Sequence, residues 1–148
     1  MLSIIELEEF LKRNDCDFEI LEHDTPIIST QDSAKYFDIG KAAPTFIIDT
    51  EQGLIALIVS SQYGRIDFET LKQELGFSKF KMANSEKVKT ETGYAVGAIP
   101  IIGHNLPCII DECLFDNDYI YGGTGDELRT LKIAPYDIVR LNNVINCI

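Results

Sequence analysis

Two apolar segments joined by a short polar connection constrain the fold more than any other feature of the chain. Pro44-Thr-Phe-Ile-Ile-Asp49 and Leu54-Ile-Ala-Leu-Ile-Val59 flank Thr50-Glu-Gln-Gly53, whose glycine can adopt a positive φ. This pattern predicts a β-hairpin with a buried second strand. The second segment is also the longest apolar run, and its six residues are far fewer than the roughly 18–20 that a membrane-spanning helix needs. We therefore expect no membrane span.

Helix-capping residues and further short strands alternate irregularly along the rest of the chain. Helices are predicted to begin after Ser3, after Ser29 or Thr30, after Asp67 and after Asn84, with Gly40, Gly76 and Gly93 ending the last three. Strands are predicted at 18–21, 108–111, 118–121 and 130–133, and a short helix at 137–141. A doubly wound parallel sheet requires regular alternation of strands and helices. We therefore predict a single domain over residues 1–148, with a mixed, partly closed sheet and helices packed around it.

The net charge of −11 argues against a general nucleic-acid binder, because phosphate contacts need lysine and arginine. The charge is uneven, however, and residues 39–89 hold seven of the thirteen basic residues. This segment includes a cluster of lysines that allows two interpretations, a solvated face or a local footprint for a phosphate chain. The lysines are Lys72, Lys79, Lys81, Lys87 and Lys89.

Two further features bear on location and metal binding. The N-terminus lacks the basic region and long apolar core of a secretory signal, which favours a cytoplasmic protein. The four cysteines are sparse, and neither a CxxC pair nor a pair of neighbouring histidines accompanies them. We expect buried thiols and no metal site. The cysteines are Cys16, Cys108, Cys113 and Cys147.

Two glycine-rich segments are the candidates for ligand binding. The first is Gly93-Tyr-Ala-Val-Gly97-Ala-Ile-Pro100-Ile-Ile-Gly103-His104, and the second is Tyr121-Gly-Gly-Thr-Gly-Asp126. Glycines allow a ligand to approach the backbone closely and leave N–H groups free to donate. Tight turns explain both segments equally well, and neither contains a P-loop or a dinucleotide fingerprint. The residues alone therefore indicate one or two backbone-lined pockets and no particular reaction.

The order of these motifs resembles the YbaK/ProX family of aminoacyl-tRNA deacylases, which includes the editing domain inserted in bacterial prolyl-tRNA synthetases. The first glycine-rich segment resembles the central motif of that family. Further landmarks occur in family order over residues 18–141, namely His23-Asp-Thr-Pro26, Thr30-Gln-Asp-Ser-Ala34, Arg65-Ile-Asp67, Lys81-Met-Ala83 and Tyr121-Gly-Gly123. The resemblance implies an α+β fold in which helices surround a mixed, barrel-like β-sheet.

The same resemblance implies an activity and a set of site residues. The activity is hydrolysis of the ester that joins a wrong, small amino acid to the 3′ end of a tRNA, such as a tRNA for proline, without a metal or cofactor. The implied partners are an aminoacyl-tRNA and an aminoacyl-tRNA synthetase. Lys41, Gly97 and His104 are the candidates for catalysis. The candidates for substrate binding are Thr45, Phe46, Ile99, Pro100, Ile101, Gly103, Gly122 and Gly123.

Two positions depart from the family pattern. Ile101 stands where many members have a second proline, although Pro100 remains adjacent, and the departure at Pro44 is the more serious one. Pro44 stands where the family has a lysine, immediately before the threonine that Thr45 matches. Proline supplies neither a cation nor an N–H donor. Two functions therefore stay open: a deacylase that acts in trans, and a relative that keeps the pocket to bind an aminoacyl-tRNA end, a nucleotide-like ligand or a synthetase. The sequence leaves the amino acid, the tRNA and the oligomeric state undetermined.

Overall fold

The predicted hairpin lies inside a mixed sheet of a computed structural model that describes residues 1–27 and 30–148. The fold is α+β, as predicted, and no helix in these ranges is long and apolar enough to cross a membrane. The helices are α1 (Ile4–Arg13), α2 (Phe68–Leu75), α3 (Ser85–Thr92) and α4 (Pro135–Leu141). The strands are β1 (Phe18–Glu22), β2 (Thr45–Thr50), β3 (Gly53–Ile58), β4 (Phe80–Met82), β5 (Pro107–Ile110), β6 (Ile120–Gly123), β7 (Arg129–Ile133) and β8 (Asn143–Cys147).

The strands form two sheets rather than one. A five-stranded mixed sheet has the order β4-β2-β3-β5-β8, and a three-stranded antiparallel sheet has the order β1-β7-β6. The two sheets meet along β6, where the backbone N–H of Ala43 donates to the carbonyl of Tyr121 at 2.8 Å. The N–H of Ile101 donates to the carbonyl of Gly123 at 3.0 Å on the same strand. These bonds cover an edge of β6 and join the two sheets.

Both faces of the five-stranded sheet are buried, which explains why β3 is continuously apolar. One face packs against α1 and the three-stranded sheet, and Ala56 and Ile58 point into that core. The other face packs against α2, and Ile55 and Leu57 belong to this second core with Leu71. A strand that is covered on both sides needs apolar residues at successive positions rather than at alternate ones.

Three of the four predicted helix starts are confirmed by their caps. Ser3 and Glu6 form the reciprocal capping box of α1. Asp67 accepts a hydrogen bond from the N–H of Thr70 at 3.1 Å, and Asn84 caps α3 in the same way.

The helix predicted to run to Gly40 is wrong. The chain forms short 3-10 helices at Thr30–Lys35 and Ile39–Lys41 instead. Asp38 is the physical reason for the break, because its carboxylate accepts from the N–H of Gly40 at 2.9 Å and starts a separate turn. The alternative cap at Ser29 lies outside the described residues.

The sequence predicts neither β4 nor β8, and both are edge strands. Most of their residues are exposed, so they lack the apolar pattern that reveals a central strand. The expectation of buried thiols is likewise only partly correct. Cys108 on β5 is fully buried, whereas Cys113 and Cys147 are exposed.

Candidate active site

A cavity of about 360 Å³ lies where the start of β2, the end of β6 and the first glycine-rich segment meet. Its walls are mainly apolar, and the turn between β6 and β7 adds charged side chains at one side. Ligand pockets in proteins usually measure about 300–1,000 Å³, so this cavity is at the small end of that range. Fourteen of the residues that line the cavity are Phe37, Pro44, Thr45, Phe46, Val96, Gly97, Ile99, Tyr121, Gly122, Gly123, Asp126, Glu127, Arg129 and Thr130.

Glycines at 122 and 123 allow the first glycine-rich segment to lie directly against β6. A Cβ atom on Gly123 would be 2.1 Å from the carbonyl oxygen of Ile99. A Cβ atom on Gly122 would be 2.7 Å from the side chain of Ile101. These approaches are closer than any van der Waals contact, so both glycines shape the wall that Ile99 forms.

Gly97 occupies a tight turn at the rim of the cavity. The N–H of Ala98 donates to the carbonyl of Ala95 at 3.1 Å, and Gly97 has φ +93°, the signature of a type II turn. Side chains with a Cβ atom rarely adopt this conformation. Within the described part of the chain, the N–H of Gly97 has no hydrogen-bond acceptor. It is therefore free to donate to a ligand.

Thr45 places an unpaired polar atom in the cavity wall. Its Oγ1 is buried and has no hydrogen-bond partner in the described structure. A buried hydroxyl without a partner is costly, so it needs an explanation, such as an ordered water molecule or a role in catalysis. Pro44 precedes it in the wall and contributes neither a charge nor an N–H group.

The charged groups lie at the turn between β6 and β7. Arg129 is the one cation among the described lining residues, and it is paired with Asp126 and with Glu22, the latter at 3.6 Å. The carboxylate of Glu127 forms no ion pair in the described structure, and its side chain is exposed. The cavity therefore presents an available carboxylate and no available cation.

The structure brings six of the eleven sequence-predicted site residues into this cavity. They are Thr45, Phe46, Gly97, Ile99, Gly122 and Gly123. Pro100 and Ile101 are buried behind the wall, and Lys41 points its ammonium group at the ring of Tyr119, 4.1 Å from the centroid. Gly103 and His104 line a different cavity, of about 550 Å³, beside α1 and Asn142. These five residues therefore lie outside the pocket to which the sequence assigned them.

Sequence reasoning identified the second glycine-rich segment, which ends at Asp126, but missed the charged side chains of the turn between β6 and β7 as site residues. Asp126, Glu127 and Arg129 enter the cavity wall because the hairpin folds this turn over the start of β2. Thr130 follows them, and its Oγ1 lies 2.7 Å from Nε2 of His23, which packs behind the wall. The density of polar residues immediately after Gly122 and Gly123 is the signal that could have identified them.

Most ammonium groups of the lysine cluster at 72–89 contact acceptors of the protein itself. Lys72 pairs with Glu69 at 3.1 Å. Lys79 and Lys87 both pair with Asp49, at 3.2 and 3.3 Å. Lys89 donates to the backbone carbonyl of Gly93 at 3.0 Å, so four of the five ammonium groups already have protein acceptors. This arrangement favours the interpretation as a solvated face.

His104 is held in the neutral form. The N–H of Leu106 donates to its Nδ1 at 3.1 Å, so the ring proton is on Nε2, which is buried without a partner among the described residues. Burial lowers the pKa of His104 to about 4.

The free energy of unfolding is expected to depend on pH through His104. The unfolded chain takes up a proton at this residue near pH 6.5, whereas the folded chain does so only near pH 4. The contribution of His104 to the free energy of unfolding is therefore fully present above about pH 6.5. As the pH falls from 7 to 5, the free energy of unfolding decreases by about 2 kcal/mol. Urea unfolding of the wild type and of His104→Gln over this range measures the effect. Burial also lowers the pKa of His23, but that contribution is common to both proteins. Equal slopes in the two proteins would contradict the assignment.

A sequence model of the aminoacyl-tRNA editing domain matches residues 24–141, and the chain belongs to this family. This confirms the family resemblance at the level of the editing domain.

Solved structures show the same fold. A crystal structure of a hypothetical protein has a TM-score of 0.83 at 22% identity, covering 95% of this chain and 96% of the other. The crystal structure of a "putative trans-editing enzyme for prolyl tRNA synthetase" has a TM-score of 0.82 at 21% identity, covering 99% and 96%. The crystal structure of a "putative signal transduction protein" from Marinobacter aquaeolei VT8 is less similar, with a TM-score of 0.60 and 14% identity, and the match covers 99% of this chain but 30% of that one.

Proposed function

We propose that this chain hydrolyses, in trans and in the cytoplasm, the ester bond of a tRNA that carries a wrong, small amino acid. The observation that carries the proposal is a small apolar cavity whose wall contains the unpaired hydroxyl of Thr45 and the free N–H of Gly97. Membership of the editing-domain family and the fold shared with the described trans-editing enzyme support the same activity. The partner is the 3′ end of an aminoacyl-tRNA, and a synthetase is a further candidate.

The reaction adds water across an ester that is already activated. Water attacks the carbonyl carbon, the carbonyl oxygen becomes negatively charged, and the ribose oxygen leaves with a proton as the amino acid is released. The N–H of Gly97 is suited to donate to the developing oxyanion. The hydroxyl of Thr45 is buried, and a rotation of its side chain about χ1 would bring it to the attacking water. The carboxylate of Glu127 attracts the α-ammonium group of the substrate. Positioning and these donors supply the catalysis.

The size and polarity of the cavity favour a small, apolar acyl group. Phe46, Val96 and Ile99 present apolar side chains to the space that the acyl group would occupy. A long polar side chain would lose its hydration there without gaining hydrogen bonds, which is unfavourable. Alanyl and cysteinyl esters are therefore the substrates to test first, followed by seryl and threonyl esters.

Thr45→Val is expected to lower kcat/KM for deacylation by about tenfold, because valine has the same shape and lacks the hydroxyl. Thr45→Ser keeps the hydroxyl and is expected to retain most of the activity. The measurement is the loss of radiolabelled alanine or cysteine from tRNA for proline, corrected for spontaneous hydrolysis. Equal rates for Thr45→Val and Thr45→Ser would exclude a role for the hydroxyl.

Pro44 favours the second candidate function, binding without turnover. A proline at this position leaves the cavity wall without the lysine that the resemblance implies, and Arg129 is already paired. Pro44→Lys is expected to raise the deacylation rate if a cation at this position assists the reaction. The rates of the wild type and of Pro44→Lys are measured with the alanyl, cysteinyl, seryl and threonyl esters. If neither protein exceeds spontaneous hydrolysis with any of them, while a non-hydrolysable aminoacyl-adenosine amide still binds, the cavity is a binding site only.

A further inference from the structure

Two lysines converge on one tyrosine ring beside the cavity. The ammonium groups of Lys41 and Lys132 each lie 4.1 Å from the centroid of Tyr119, so they are at most about twice that distance apart. All three side chains are half-buried. Neither lysine forms an ion pair within the described part of the chain, so both charges are available to a ligand.

This lysine–tyrosine patch, defined as Lys41, Tyr119 and Lys132, is continuous with the cavity wall. Lys41 immediately precedes the wall segment that begins at Ala42. Tyr119 meets Tyr121 edge to face with centroids 5.6 Å apart, and Tyr121 lines the cavity. Lys132 lies directly opposite Tyr121 in the pairing of β6 with β7. A chain whose end enters the cavity past Tyr121 would therefore run beside the patch.

The patch suits a polyanion better than a single carboxylate. Neither ammonium group has an ion-pair partner in the described part of the chain, so successive phosphates of one polyanion can contact the two in turn, whereas a single carboxylate supplies one charge. The attraction of each ammonium group to the ring is weak at a partly exposed site, so it does not compete strongly with a phosphate. Glu19 lies opposite Lys132 on β1, and Asp38 lies near Tyr121, and neither forms an ion pair with the patch lysines. The lysines at 72, 79, 87 and 89 already have protein acceptors.

We propose that the lysine–tyrosine patch binds backbone phosphates of the single-stranded 3′ end of an RNA, immediately upstream of the nucleotide whose ester enters the cavity. The inference rests on the proposed function for the identity of the RNA. It is independent of turnover, because phosphate binding requires no hydrolysis. The patch supplies attraction to a substrate that the net charge of −11 would otherwise repel.

The test measures binding of a fluorescent, unacylated RNA oligonucleotide ending in CCA by anisotropy over a series of salt concentrations. Each phosphate contact contributes about 0.7 to the slope of log K against log salt for single strands. Lys41→Met and Lys132→Met keep the apolar stem and are each expected to lower the slope by about 0.7, and the double variant by about 1.4. Lys72→Met removes a lysine on α2 and is the matched control, with unchanged slope and affinity. Thermal unfolding of every variant checks that it remains folded.

Two results would overturn the inference. The first is wild-type affinity and slope in the folded double variant. The second is loss of affinity in Lys81→Met with no change in the patch variants, because the phosphates would then bind near β4. Hydrolysis of 3′-O-alanyl-adenosine, which has no phosphate, separates this inference from the proposed function. A wild type that fails to hydrolyse this ester would contradict the proposed function alone, whereas the salt dependence of RNA binding tests the patch.

Discussion

Replacing Gly97 by valine is expected to lower kcat/KM for deacylation by about 100-fold or more. Gly97 has φ +93°, which a β-branched residue adopts only with strain, so the turn will relax towards a negative φ. That change rotates the peptide between Val96 and Gly97 and removes the free N–H from its place at the rim. The loss of one well-placed donor to an oxyanion costs about two to three orders of magnitude in rate.

Gly64→Val is the matched control for this prediction. Gly64 also has a positive φ, +87°, and no atom lies within 4 Å of the position of an added Cβ. It does not line the cavity. Both variants carry the strain of a β-branched residue at a positive φ, while only the variant at Gly97 is expected to lose activity. A parallel loss of activity in both, or unfolding of Gly97→Val alone, would show that Gly97 is a structural residue.

Local signals made much of the fold predictable from the sequence. The caps at Ser3, Asp67 and Asn84 and the hairpin around Gly53 depend on contacts within a few residues, and each was confirmed. The failed helix near Asp38 shows the limit of this approach. A capping residue starts a turn wherever it lies, and the sequence does not show which of several caps in one segment will prevail.

The candidate site was only partly predictable, because it depends on how distant segments meet. The glycines at 122 and 123 were identified as ligand contacts, but their main effect is to admit the side chain of Ile101 and the backbone of Ile99. His104 ends the first glycine-rich segment, yet the chain turns away after Ile101 and places it at another cavity. Lys41 and Lys132 are 91 positions apart in the sequence, and only the pairing between the sheets brings them to one ring.

Gly123→Ala is expected to destabilise the protein by about 3 kcal/mol or more, although it adds one methyl group. The added Cβ would lie 2.1 Å from the carbonyl oxygen of Ile99, which is a backbone atom and cannot rotate away. The hydrogen bond from Ile101 to the Gly123 carbonyl must then lengthen or break, which opens the junction between the two sheets. For a chain of this size, the midpoint of thermal unfolding should fall by about 6–12 °C.

Gly40→Ala provides the comparison for this prediction. Its added Cβ would be 3.0 Å from Nε2 of Gln62, the end of a flexible side chain that can move. Gly40 has no positive φ, and neither does Gly123, so neither substitution carries backbone strain and the difference between them isolates the steric clash. Calorimetry of both variants should therefore show a large loss for Gly123→Ala and a small one for Gly40→Ala. Equal midpoints would mean that the segment around Ile99 can move away from β6 at little cost, in which case the cavity wall is adjustable rather than fixed.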